Sequence, residues 1–310
     1  MIRLSSAEEQ VLATLSYCDQ FDFPLTQEEL WLRLISPTSE DPLTKESFLL
    51  TVKKLVTEKF IERKGLFFNL KGRSGLAEVR QFRQQASQNK QSEVSQVVGF
   101  LRKLPWIKAV FVTGSLAMMN AEPENDADFF IACQPNRLWL TRVLVMVFAQ
   151  QLGKRRSWNG EEVGSWCFNL WLDTHHLSVV LNKRRIYQAY EVIQAQPAFS
   201  RDGTAELFFQ QNSWTQRFLP NWPGGKLHQE LVDSKGQIPL IGEFLDFIDL
   251  VCWKAQRHYM QPHRTSEKVG RGFAFFHPRD TAQLIYAGWQ KSLERVVSAN
   301  DAATILKSYV

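Results

Sequence analysis

Cysteine is scarce and scattered in this chain. Cys18, Cys133, Cys167 and Cys252 are the only four among 310 residues. None forms a C-x-x-C pair, so the sequence carries neither a disulfide framework nor a zinc-ligand pattern. A reducing cytoplasm is therefore the expected compartment. Met1 to Gln10 lacks the apolar core of a secretory leader. Long apolar runs are missing too. The most hydrophobic one, Leu138 to Phe148, is short and carries Arg142, which predicts a buried helix rather than a membrane span. No membrane partner is expected. There are no internal repeats and no low-complexity segments. Neither sign of charge dominates: a net charge of +5 allows a polyanionic partner without requiring one.

What is present suffices for an ordinary packed core. Hydrophobic residues make up 44% and charged residues 22%, and the length predicts two or three domains. Ten Trp and 22 Phe point to large aromatic cores or to a groove for rings; composition does not separate the two.

One stretch organises the rest. Ala109 to Thr113 is a short apolar run ending in Gly114-Ser115. Ten residues follow, with Pro123 and Asn125 as breakers. Then come Asp126-Ala127-Asp128 and a second apolar run, Phe129 to Ala132. The pattern predicts strand, tight turn opening a helix, loop, strand. Alternate side chains of a strand share a face, so Asp126 and Asp128 point the same way, roughly 6–7 Å apart. Two such carboxylates repel when ionised and buried, and a cation relieves that. Hard oxygen donors without nearby Cys or His suit Mg²⁺ or Mn²⁺. Gly114 permits close backbone approach. Ser115 and the N–H groups of the following helix suit a phosphate. Such equipment belongs to phosphoryl or nucleotidyl transfer.

An apolar strand, Gly114-Ser115, ten residues, then Asp126-x-Asp128 and a further apolar strand resembles the signature of the polymerase-beta-type nucleotidyltransferase superfamily. The resemblance implies an α/β (α+β) fold with a small mixed-sheet core, two Mg²⁺ ions, and a nucleoside triphosphate as substrate. Many members carry a third carboxylate on a strand beside the Asp-x-Asp strand. Here the expected position, in the apolar run Trp166 to Leu172, holds Asn169. Asp173, just past that run, is a candidate for the missing metal ligand and otherwise a turn-former. Arg155 and Arg156 are candidates to neutralise the triphosphate, with an exposed basic turn as the plainer reading; Lys183-Arg184-Arg185 is read the same way. His175-His176 is a surface turn.

Residues 1–72 read as a first domain. Ser5 or Ser6 caps a helix from Ala7, Thr26 and Glu29 form a capping box, and Thr44 opens a third helix through Lys59. Phe60 to Leu70 reads as a hairpin turning near Lys64-Gly65. This order resembles a winged helix-turn-helix, which implies possible DNA contact through residues 44–70, with Lys45, Lys53, Lys54 and Lys59 near phosphates, or else a docking role. Residues 73–200 are what the resemblance implies to be the nucleotidyltransferase core with a leading helix. That helix is broken near Ser87–Asn89, and Arg80, Arg83, Lys90, Arg102 and Lys103 form its solvated face. A strand is expected at Leu177 to Leu181, and a helix from Tyr187 to Gln194 leading into Pro197. Residues 201–310 form a helical C-terminal domain: helices at Ala205–Phe218, Ile238–Met260 and Asp280–Val297, with a basic-aromatic loop, Arg264 to Pro278, between the last two. Such helical domains often form the far wall of the cleft in this superfamily.

The expected activity is transfer of a nucleoside monophosphate to an unidentified hydroxyl, with a small molecule or protein favoured over nucleic acid as acceptor. The alternative is a DNA-binding regulator or nucleotide sensor whose transferase-like site is silent, a reading that Asn169 favours.

Overall fold

The computed structural model describes residues 4–37, 42–155, 164–179, 185–224, 239–261, 267–276 and 282–309. The chain is mixed α/β. It opens with α1 (Ser6–Asp19), β1 (Leu25–Thr26), α2 (Gln27–Leu32) and α3 (Lys45–Thr57), then the hairpin β2 (Ile61–Lys64) and β3 (Phe67–Leu70). Side chains start each of these helices. Ser5 and Glu8 form a reciprocal capping box, Thr26 and Glu29 form another, and Thr44 accepts from the Ser47 N–H. Each cap satisfies N–H groups that a helix start leaves open. The hairpin turns at Gly65 with φ +60°. β1 adds to it, giving a three-stranded sheet in the order β1-β3-β2.

α4 (Leu76–Asn89) and α5 (Gln91–Leu101) follow, broken at Lys90. The second sheet contains β4 (Ile107–Thr113), β5 (Ala127–Cys133), β6 (Trp166–Asp173), β7 (Gln196–Ser200), β8 (Lys268–Val269) and β9 (Phe273–Phe275). Its order is β7-β4-β5-β6-β9-β8, with β5 and β6 parallel and the other neighbours antiparallel. Between these strands run α6 (Gly114–Ala117), α7 (Leu138–Gln151), α8 (Ile186–Gln194), α9 (Thr204–Gln211) and α10 (Pro239–Met260). α11 (Ala282–Leu293) and α12 (Ala299–Lys307) close the chain.

Alternation along the strands builds two cores. Ala109, Phe111, Phe130 and Ala132 face one side, where the N-terminal helices, α8, α9, α11 and α12 pack. Val110, Val112, Phe129 and Ile131 face the other, against α5 and α7. Phe111 and Phe130 are directly paired across β4 and β5 and stack at 4.6 Å. A pair of this kind adds about 0.5–1.5 kcal/mol beyond its buried area. In β6 the alternation breaks. Trp166 and Phe168 lie in the second core, and so does Trp171, while Leu172 lies in the first. A register shift opposite Phe129/Phe130 leaves Asn169 as the extra residue.

Three expectations change. Gln196 to Ser200 is a strand rather than a run-out into Pro197, and Pro197 is tolerated because β7 is an edge strand with a register shift beside it. Arg264 to Pro278 is not a loop throughout: β8 and β9 extend the core sheet beyond β6. Leu177 to Val179 are not in a strand, while Val180 and Leu181 lie outside the described residues. The last helices also pack where the sequence does not suggest. The Trp289 Nε1–H donates to the Ala13 carbonyl at 2.8 Å and to Ser16 Oγ at 3.0 Å, so α11 is bound to α1. α10 lies along α7, where Asp249 Oδ1 accepts from the Leu140 N–H at 2.8 Å. No helix of the described residues is long and apolar enough to cross a membrane, and no disulfide joins the four cysteines.

Candidate functional site

β4 and β5 bring the two halves of the motif together. Thr113 and Asp128 are register partners, so the turn at Gly114 lies beside the Asp128 carboxylate. Gly114 has φ +63°, and a β-carbon there would lie 2.5 Å from Asp128 Oδ2. Only glycine fits, both for its backbone and for this contact. α6 is a single turn. The Ser115 hydroxyl points at Asn125 Oδ1 at 3.5 Å, and its carbonyl accepts from the Asn120 N–H at 2.9 Å.

The loop between turn and carboxylates is fastened from outside. Ser87 Oγ accepts from the Ala121 N–H at 3.0 Å, Lys90 Nζ donates to the Asn125 carbonyl at 2.8 Å, and Arg83 pairs with Glu122. The α4–α5 break therefore has a purpose, since Ser87 and Lys90 sit at it. This also corrects the expected solvated face. Lys90 and Arg80 are buried, and the Arg80 guanidinium lies over the Phe23 ring at 3.7 Å while pairing with Glu29.

Asp126 and Asp128 flank Ala127, which opens β5 and is buried in the second core. Asp126 Oδ1 accepts from the Ser165 N–H at 3.0 Å and from Ser165 Oγ at 2.9 Å. Asp128 Oδ1 accepts from Asn169 Nδ2 at 2.8 Å. Asn169 thus stands against Asp128, at the bulge of the neighbouring strand. Asp173 does not. It pairs in register with Cys133, five residues along β5 from Asp128, or about 16 Å at ~3.3 Å per residue. Its carboxylate binds the His175 N–H at 3.0 Å and His176 Nδ1 at 2.7 Å. Asp173 is the turn-former, removed from the pair. Arg155 makes an isolated bridge to Trp166, the register partner of Ala127, which puts its backbone at the same end of the sheet as the carboxylates; its side chain is exposed. Arg156 lies outside the described residues, as do Lys183 and Arg184.

The donor set fits a hard divalent cation. Asp126 and Asp128 offer carboxylate oxygens, the first accepting from Ser165 and the second from Asn169, and Gly114 lets the second reach the turn. Among the described residues no group of three His, Cys, Asp or Glu side chains stands close enough to hold a metal.

A cavity of about 350 Å³ opens at the turn. Gly114, Ser115, Met118, Asn120, Asn125 and Glu191 belong to its lining, together with Tyr17, Phe21, Phe23, Arg33 and Arg83 from the first 83 residues. Among the described residues, the lining at this turn draws on the start of the chain and on α8. Two lining residues escape the sequence reading. Glu191 projects from α8 on the face that carries Asp128. Its side chain is exposed where it lines the cavity; crowding by the surrounding protein, and after it the negative charge of Asp128, act to raise its carboxyl above the ordinary 4.5, an effect that solvent exposure moderates. Arg33 ends α2; it is only 9% exposed. Neither has a local signature, because tertiary packing alone aims them at the motif. Cys18 also lines the cavity, but burial raises its thiol to about 12, which leaves it inert.

No family model, no curated protein and no solved structure matches the chain.

Proposed function

We propose that the chain is a metal-dependent nucleotidyltransferase, moving a nucleoside monophosphate from a nucleoside triphosphate to a hydroxyl acceptor. The observation that carries this reading is the contact of Gly114 with Asp128, which makes Gly-Ser and Asp-x-Asp one site instead of two coincident fragments. Asp126 and Asp128 would hold Mg²⁺ or Mn²⁺, which when bound neutralises charge on the phosphates. Gly114 and Ser115 take the phosphate tail, and Arg155 stands at the same sheet end for the leaving pyrophosphate. The acceptor oxygen bonds to the α-phosphorus, the bond to the β-phosphate's bridging oxygen breaks, and the acceptor proton passes to Glu191. Glu191 lines the cavity at the Gly114–Ser115 turn, and a carboxyl raised above its ordinary value is suited to accepting a proton. Glu191 thereby supports turnover in a site where Asn169 replaces a carboxylate.

The second reading, a nucleotide sensor with a silent site, draws on Asn169. Its DNA-binding form is weakened by the α3 lysines: Lys54 binds Glu8 at 2.6 Å, and Lys45 lies over the Trp31 ring at 5.1 Å. A small molecule or a protein remains the favoured acceptor.

Incubation with each nucleoside triphosphate labelled at the α-phosphate, with Mg²⁺ or Mn²⁺ and cell extract, decides between them. Label moving to an acceptor, and lost in the Asp126→Asn/Asp128→Asn double variant, supports the transferase. Metal-dependent triphosphate binding without transfer supports the sensor.

A further inference from the structure

We propose that the cavity beside the Gly114–Ser115 turn binds a phosphate group through Arg33, which makes the N-terminal segment part of the site. The proposal deepens the transferase reading, and its link to a nucleotide rests on that reading; the phosphate site itself does not.

The argument starts from an unbalanced charge. Arg33 is nine-tenths buried, and its Nη1 has no hydrogen-bond partner. Its Nη2 reaches only the Met118 sulfur at 3.4 Å, a weak acceptor. No carboxylate pairs with it among the described residues. The other lining guanidinium is different: Arg83 is paired with Glu122 and lies near Asp22. A buried guanidinium without an anion is costly, and this one faces a cavity large enough for a small ligand.

Its position is built. The Tyr190 hydroxyl donates to the Arg33 carbonyl at 2.8 Å, and Tyr190 stacks on Tyr17 at 4.1 Å. The residue that holds the Arg33 backbone is therefore the neighbour of Glu191. One helix, α8, therefore carries Glu191 and holds the Arg33 backbone. A planar guanidinium with an unpaired, buried Nη1 is suited to phosphate oxygens once its side chain turns into the cavity, and Gly114 and Ser115 line the same space. Two sources share this chemistry: the tail of the nucleotide, or a phosphate carried by the acceptor.

The test is calorimetric titration of metal-free protein with tripolyphosphate, for wild type, Arg33→Met, Arg33→Lys, Arg63→Met and the Asp126→Asn/Asp128→Asn double variant. Wild type should bind, Arg33→Met should bind at least about tenfold more weakly, and Arg33→Lys should fall between. Arg63, exposed on β2, controls for general charge, and its variant should match wild type. The Asp double variant should still bind, which separates this proposal from the transferase reading. Melting curves add a second readout. Arg33→Met should melt no lower than wild type, because a buried unpaired charge is removed, but should lose the stabilisation that tripolyphosphate confers. Competition with Mg²⁺-bound ATP then assigns the source: displacement points to the nucleotide's tail, simultaneous binding to the acceptor. Absence of tripolyphosphate binding by wild type, or equal binding by Arg33→Met, overturns the proposal.

Discussion

The backbone of Gly114 and the carboxylate of Asp128 touch: a β-carbon on Gly114 would lie 2.5 Å from Asp128 Oδ2. Gly114→Ala should therefore do two kinds of damage. It strains a backbone at φ +63°, and it drives the carboxylate out of place. Gly65 provides the control, because it has φ +60° with nothing within 4 Å of the β-carbon it would gain. Gly65→Ala should cost about 1 kcal/mol from the backbone alone, and Gly114→Ala about 1–3 kcal/mol, with metal-dependent triphosphate binding lost only in the second. Denaturant midpoints and a binding titration measure both. Equal costs, with binding intact, would show that Asp128 moves aside freely.

Asn169 decides how many negative charges the site holds. Its Nδ2 donates to Asp128 Oδ1 at 2.8 Å, so Asn169→Asp places a second anion against the first. Without metal the two repel, and the melting temperature should drop. With Mn²⁺ the extra charge should tighten binding about tenfold and restore the melting temperature. Unchanged Mn²⁺ affinity would mean that position 169 lies beyond the ion's reach.

The parts of the fold that are local could be read from the residues. Ser5 with Glu8, Thr26 with Glu29, and Thr44 start helices because each cap involves neighbours three residues apart. The Gly-Ser and Asp-x-Asp pattern predicts a strand on either side, and the resemblance places Asn169 on a neighbouring strand. What escaped depends on distant partners. β7 carries Pro197, which argues against a strand until β4 makes it an edge. β8 and β9 are two and three residues long, too short for alternation to register. Asp173 has the chemistry of a ligand, but the strand direction carries it to the wrong end. Arg33 and Glu191 sit in unremarkable helices, and only the packing of α2 and α8 against the turn brings them to one cavity.

Lys54 on α3 is engaged within the fold. Its Nζ lies 2.6 Å from Glu8 Oε1, and Glu8 is 3% exposed. Burial works to raise the Glu8 carboxyl, but the hydrogen bonds from Lys54 and Ser5 outweigh it and hold the group below its ordinary 4.5. A lowered carboxylate contributes stability above pH 4.5 that is lost as pH falls through its folded value. Lys54→Met should therefore lower the melting temperature at pH 7, with the difference shrinking in acid. A lysine serving DNA would behave otherwise: its loss would leave the melting temperature alone and flatten the salt dependence of duplex binding.

Glu191 yields the opposite pH dependence. Its folded carboxyl is raised from 4.5 to about 7, by desolvation first and by Asp128 second. Between these values the folded protein holds a proton that the unfolded chain has released. Stability from this group is thus fully present below pH 4.5 and lost as pH rises through about 7. Glu191→Gln cannot ionise, so its stability should be flatter between pH 4.5 and 7.5, and it should exceed wild type most at the alkaline end. Asp128→Asn removes the second cause and should shift the wild-type decline to lower pH. Urea midpoints at half-unit pH steps for the three proteins read all of this. If Glu191 accepts the acceptor's proton, the transfer rate of wild type should also fall below about pH 7, and Glu191→Gln should be slow at every pH, by about 10²–10⁴-fold. A rate profile unaltered by Glu191→Gln would leave the carboxyl as a lining group of the cavity and return the proton to solvent.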